Sequence, residues 1–403
     1  MRQIVQSINE DVIGWRRYLH EHPELSFHEQ NTAQYVYETL ASFGDLILSR
    51  PTQTSVMARL IGAKPGPVLA LRADMDALPI QEENTFDFAS RTPGVMHACG
   101  HDGHTAMLLG AAKALVQLKE QLHGEVRFLF QHAEETWPGG AQEMVEAGVL
   151  DGVHAVFGTH LWSSLDVGKI GIVYGPMMAA SDKFTLTIQG KGGHAALPQQ
   201  TIDSIAVGSQ VVTNLQHIVS RNTDPLDQVV VSVAQFTAGT TFNVIPDTVL
   251  IRGTVRTLDQ DIRSSLPALM ERVIKGITEA HGAAYDFDYV FGYHPVINHE
   301  QTTAFVESIV LDTLGEHTID RMRPNMGGED FSAFQQHVPG TFFYIGAGNK
   351  EKGIIYPHHH PKFTIDEDAL ATGVTLFIHL ALSFAEKAQH MAPASANQPS
   401  GSF

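Results

Sequence analysis

PVLALRADMDALP at 67–79, HACGHDGHTAMLLGAAKALVQL at 97–118 and EVRFLFQHAEE at 125–135 decide the fold. The first and third are short apolar runs that end abruptly in acids, the pattern of a buried strand delivering carboxylates to a sheet edge. The second opens on a polar, glycine-containing turn and continues as an Ala/Leu-rich helix. Outward from these, AGVLDGVHAVFGTHLW at 147–162 reads as another strand with a polar end. Ile4, Ile8, Val12, Trp15 and Leu19 repeat at three- and four-residue spacing and predict an opening helix, broken near Pro23. A second helix is expected around Thr32 to Phe43. Strands alternating with helices predict an α/β domain with a mostly parallel sheet flanked by helices.

From about Ser181 the texture changes. DKFTLTIQGKGGHAALP alternates like a half-exposed strand, DSIAVGSQVVTNLQHIV is a helix, and QVVVSVAQFTAG and DTVLIRGTVRTL are strands joined through TTFNVIP. A helix, RSSLPALMERVIKGITEAHG, and a strand, AAYDFDYVFGYHP, complete a strand-helix-strand-strand-helix-strand order. That order predicts an inserted, smaller α+β unit of the ferredoxin-like kind. The α/β texture resumes after Pro295. The expected division is a first domain over 1–181 and 295–391, an insert over 182–294, and a low-complexity, disordered tail over 392–403.

A length of 403 residues exceeds a usual single core and agrees with two domains. The net charge of -18 argues against nucleic acid and anionic membrane surfaces as partners. The single cysteine, Cys99, allows no intrachain disulfide. The N-terminal stretch lacks the apolar core of a signal peptide, and no uncharged apolar run approaches the ~20 residues of a membrane span, so a cytoplasmic location is expected. With 22 histidines in the chain, only clustered ones carry weight.

The polar clusters fall where strands are expected to end, the place where open α/β sheets bind ligands. They are Asp74 with Asp76; Cys99, His101, Asp102 and His104; Glu134 with Glu135; and His160. A later cluster is His358, His359 and His360. Thiolate, imidazole and carboxylate together suit a transition metal better than Ca or Mg. Adjacent carboxylates at a strand end repel unless a cation lies between them. Since neighbours on an extended chain point apart, one can bind metal while the other serves water as a base. His194, in GKGGHAALP, and Arg256, in RGTVRTL, sit in the insert. Arg256 is either a surface charge or a clamp for a substrate carboxylate.

Taken in order, WRRYLHEHPELSFHE, LRADMDALP, MHACGHDGHTAMLLGAA, FQHAEE, GKGGHAALP, FNVIPD, GTVRT, GGEDFSAF and HHHPKFTIDE resemble the peptidase M20 family over nearly the whole chain. Within it they are similar to the amidohydrolase branch of hippurate, auxin-conjugate and N-acyl amino acid hydrolases. The resemblance implies a catalytic domain with an inserted lid or dimerisation domain, a homodimer or homotetramer, and two divalent ions per subunit (Mn, Zn, Co or Ni). It implies Cys99, His101, Glu135, His160 and His359 as metal ligands, with His358 an alternative to His359, and places Asp74 and Asp76 behind them. It implies Glu134 as general base, and His194 as a group that polarises the scissile carbonyl in its own or a partner subunit's centre. Asn243 and Arg256 become candidates for substrate contact. The implied reaction is hydrolysis of an N-acyl amino acid. A dipeptidase or carboxypeptidase of the same chemistry is the nearest rival, and a non-catalytic metal-binding protein a more distant one.

Overall fold

A computed structural model describes residues 1–388. The expected disordered tail over 392–403 lies outside the described residues. Two compact units emerge. The first comprises Met1–Gly175, Ile297–Arg323 and the chain from Asp330 on; the second comprises Pro176–Val296 with Pro324–Glu329.

The first unit is built on an eight-stranded sheet. Its order is Ile47–Ser49, Val56–Ile61, His123–Gln131, Lys64–Asp74, Ala155–Asp166, Gly340–Gly348, Ile170–Ile172 and Ile319–Arg321. The four central strands are mutually parallel, and antiparallel pairings flank them. Leu69, Leu71, Phe128, Phe130, Phe157 and Phe343 are buried because helices cover the sheet, which is why these strands read as continuous apolar runs. Helix His101–Gln117 is buried on nearly every side. Gly110 makes this possible: a Cβ there would stand 2.7 Å from Val12 and 2.8 Å from Val374, so only glycine admits the first and last helices so closely. Contrary to the expectation that no apolar run approaches span length, the last helix, Asp368–Ala388, is long and apolar enough by length and composition to cross a membrane. Here it is a core helix, contributing Leu370, Val374, Phe377, Ile378 and Phe384 to the interior.

The second unit holds a four-stranded antiparallel sheet in the order Val229–Ala238, Thr248–Thr257, Ala180–Gln189 and Ala284–Tyr293. With its two helices this is the ferredoxin-like order read from the sequence. Helices Ser204–His217 and Gln260–His281 pack Val207, Val211, Leu215, Leu266, Met270 and Ile274 against Phe184, Leu186, Ile188, Val249 and Ile251. Each helix begins at an aspartate whose carboxylate accepts two first-turn amides, Asp203 from Ile205 and Ala206, and Asp259 from Asp261 and Ile262.

The boundaries differ from the expected ones: the smaller unit also takes residues 176–181 and 295–296, and it gains a separate stretch. Residues 324–329, expected in the second part of the larger domain, belong to the smaller unit. Backbone pairing explains it: the Asn325 amide donates to Met177 O at 3.0 Å and the Ala179 amide to Gly327 O at 2.9 Å.

Candidate metal centre

Asp74 closes the strand Lys64–Asp74, and His101 opens the helix that follows. The turn between them folds back so that Asp76 meets His101. The His101 Nδ1–H donates to Asp76 Oδ1 at 3.2 Å, which turns Nε2 the other way. That Nε2 is buried with no hydrogen-bond partner, and stands 3.9 Å from Glu134 Oε2 and 3.9 Å from Glu135 Oε1. Asp76 also accepts from Ser26 Oγ at 2.7 Å and from the Glu135 amide at 2.9 Å. One carboxylate thus sets both the tautomer of His101 and the start of the Glu135 side chain.

His160 was read as the end of a strand. The strand in fact continues to Asp166. His160 still sits at a sheet edge in effect, because the neighbouring strand pairs only as far as Arg72 opposite Gly158 and stops at Asp74. Its Nδ1–H donates to Leu161 O at 2.8 Å, leaving Nε2 bare and 3.4 Å from Cys99 Sγ. Cys99 lies on the glycine turn before the helix, where Gly100 adopts φ 99°.

His359 has φ 65°, and its amide donates to Ala98 O at 2.8 Å, so the loop bearing it is pinned beside Cys99. Its Nε2 lies 3.3 Å from Glu135 Oε1. His358 is engaged elsewhere: Nε2–H donates to Leu161 O at 3.0 Å, and Nδ1 lies 3.4 Å from Ser163 Oγ. His360 Nδ1 accepts from the Lys362 amide. The ring nitrogens of His104 are likewise both used, Nδ1 towards Asp74 at 2.6 Å and Nε2 accepting from the Leu161 amide at 2.8 Å.

Donor atoms of Cys99, His101 and His160 converge within 4.8 Å of one another, as do those of Cys99, Glu135 and His359, and of His101, Glu134 and Glu135. The six side chains expected at the centre therefore form one group inside the first unit. The electrostatics of the group call for a cation. Burial, with Glu135, Glu134 and Asp74 nearby, raises the Cys99 thiol well above its ordinary pKa. Burial disfavours the His101 imidazolium, but Asp74, Asp76 and Glu135 outweigh it and push His101 up to about 10. A divalent ion held among Cys99, His101 and Glu135 would compensate their charge and displace both protons. Thiolate, imidazole and carboxylate donors with bare lone pairs facing one space fit such an ion.

The second unit carries the other three candidates. His194 and Val244 are paired across a two-stranded ladder, and the Ala195 amide donates to Asn243 O at 3.1 Å. GKGGHAALP and FNVIPD, about fifty residues apart in the chain, thus share one exposed corner. The Ala196 amide donates to His194 Nδ1 at 3.0 Å, so the neutral ring carries its proton on Nε2. Arg256 is half-buried. Its guanidinium donates to Asp182 O, Val255 O and the Thr254 hydroxyl, and it forms no ion pair among the described residues.

Several supporting residues escaped the sequence reading. Arg72, inside the apolar run VLALRAD, donates to Asp74 at 2.7 Å, Asp330 at 2.9 Å and Gln131 at 2.7 Å. Arg16 and His20 from the first helix both donate to Asp102 Oδ2 at 2.8 Å. Glu29 is buried beside the Glu134 turn, and burial followed by the charge of Asp76 pushes it up to about 7. A cation in an otherwise apolar strand was the available signal for Arg72, since a buried guanidinium needs partners.

Residues 70–383 match the family model for peptidase family M20/M25/M40. An N-acyl-L-amino acid amidohydrolase of Geobacillus stearothermophilus is 68% identical over 301 residues, covering 75% of this chain and 81% of that protein. Thermostable carboxypeptidase 1 of Saccharolobus solfataricus is 41% identical over 390 residues, 96% of this chain and 98% of that one. The crystal structure of the Bacillus subtilis YXEP protein, a dinuclear metal-binding peptidase from the M20 family, superposes with a TM-score of 0.84 at 38% identity. It covers 95% of this chain and 99% of that one.

Proposed function

The chain belongs to the peptidase family M20/M25/M40, hydrolases of amide and peptide bonds, and from that premise we propose that it cleaves N-acyl amino acids, releasing the free amino acid. The observation that carries this reading is the convergence of ligand atoms of His101 and His160 on Cys99, and of Cys99 and of His101 with Glu135, with Glu134 beside them. The name of the Geobacillus relative, an N-acyl-L-amino acid amidohydrolase, supports the substrate class.

In this reading Cys99, His101, Glu135, His160 and His359 hold two divalent ions of the Mn, Zn, Co or Ni kind. Such ions supply Lewis acidity, which acidifies water and polarises an amide carbonyl. Glu134 accepts the proton of the attacking water on its carboxylate and passes it to the leaving amine nitrogen, a role worth roughly 10²–10⁴ in rate. His194, serving its own or a partner subunit's centre, donates its Nε2 proton in a hydrogen bond to the carbonyl oxygen as charge builds there; one such donor is worth about 3–4 kcal/mol. Asn243 contacts the substrate amide, and Arg256, which lacks a carboxylate partner, pairs with the free carboxylate.

Carboxypeptidase action is the second reading, favoured by the Saccharolobus relative of that name. A panel of N-acetyl and N-benzoyl amino acids and dipeptides, assayed after chelation and again after adding Mn, Zn, Co or Ni, separates the two. Metal-restored cleavage of the acyl amino acids is the expected result. Turnover of dipeptides alone would replace the first reading with the second.

A further inference from the structure

Glu29 is fully buried at the start of helix Gln30–Ala41, and it forms no ion pair among the described residues. Burying a carboxyl without a counter-charge is costly unless its oxygens are hydrogen-bonded. Its Oε1 accepts two backbone amides, Phe27 N at 3.0 Å and Ala133 N at 2.8 Å. Both donors are residues with a Cβ held at positive φ, 65° for Phe27 and 50° for Ala133, a strained conformation that persists only where the surroundings enforce it. Ala133 directly precedes Glu134. On the far side of Glu134, the Glu135 amide donates to Asp76 Oδ2 at 2.9 Å. Glu134 is therefore suspended between two amides, each fixed by a buried carboxylate. The Ala133 carbonyl is tied in turn by the Gly140 amide at 3.1 Å.

We propose that Glu29 is a positioning residue for hydrolysis: by accepting the Ala133 amide it locks the left-handed turn that aims Glu134 at the reacting water, while the Glu135 amide is held separately by Asp76. The inference rests on the reading of Glu134 as the base. Glu29 touches neither substrate nor metal in this role and acts only through the backbone. What matters is a neutral or charged oxygen at the reach of a glutamate side chain. Glutamine supplies it, whereas alanine and the shorter aspartate do not.

The test compares metal-loaded Glu29→Ala, Glu29→Asp and Glu29→Gln with wild type and with Glu134→Gln, on one N-acetyl amino acid. Metal content is measured on each, and amide hydrogen exchange over 130–136 is followed on the metal-free proteins. Displacing the base by about an ångström is expected to lower kcat on the order of 10²-fold in Glu29→Ala and Glu29→Asp. KM and metal content are expected to stay near wild type, exchange over 130–136 to quicken, and Glu29→Gln to recover most of kcat. Should alanine prevent folding, the aspartate variant carries the comparison. Wild-type kcat in both short variants, or a glutamine variant as impaired as they are, would overturn the proposal. So would loss of metal in step with kcat. If Glu134→Gln itself turned over normally, the reading of the base would fail instead.

Discussion

At the residue scale, hydrogen bonding sorts histidines that sequence leaves equivalent. In HHHP, three consecutive imidazoles offer no distinction by type or spacing. His358 is spent on Leu161 O and faces Ser163, while His359 turns its Nε2 towards Glu135 through a positive φ. His359→Ala is expected to lose one bound ion per chain on dialysis, and His358→Gln to keep both, as measured by elemental analysis. The reverse pattern would exchange their roles. Asp102 shows a cost of another kind. It is buried against Arg16 and His20, which overcome the burial penalty and hold its carboxyl far below the usual range. A depressed pKa contributes stability that is complete above the ordinary aspartate value and is lost as pH falls below it. Asp102→Asn removes the charge that Arg16 and His20 share, leaving Arg16 only Glu367 and His20 only Glu82 as acidic partners, and is expected to cost about 3 kcal/mol in denaturant unfolding near neutral pH. The variant should also show a flatter acid limb. That Cys99, His101 and Glu135 come together was legible because ligand types cluster within short strings. Glu29 and Arg72 were not, because each is defined by partners remote in the chain.

At the element scale, periodicity and strand-end chemistry carried most of the reading. The apolar runs 68–73 and 126–130 became central strands because both sheet faces are covered. His160 is instructive: the sequence GTHLW gives no sign that the strand runs on to Asp166, since backbone extension past a shorter neighbour depends on the pairing of another strand. The helices of the smaller unit begin where Asp203 and Asp259 appear in the sequence, each carboxylate capping two amides. Asp203→Ala and Asp259→Ala are each expected to destabilise that unit by ~1 kcal/mol in thermal or denaturant unfolding. Changes below a few tenths would show the caps to be idle.

At the scale of the whole molecule, strands alternate with helices, a strand-helix-strand-strand-helix-strand block follows, and the first pattern then returns. Residues 324–329 join the smaller unit through backbone pairing with 177 and 179 that no local signal announces, and residues 176–181 and 295–296 fall in it as well. The larger unit gathers its six candidate side chains from four separate stretches, 99–101, 134–135, 160 and 359, because parallel strands end on one side of a sheet. The smaller unit brings His194 and Asn243 to one corner. The central claim is that the first group holds divalent metal for hydrolysis while Glu134 moves the proton. Its most direct test is metal content and turnover measured on the same preparation of Glu134→Gln. The expected result is two ions per chain, as in wild type, with the rate of N-acyl amino acid hydrolysis reduced roughly 10²–10⁴-fold. Full metal loading with a near-wild-type rate would contradict it.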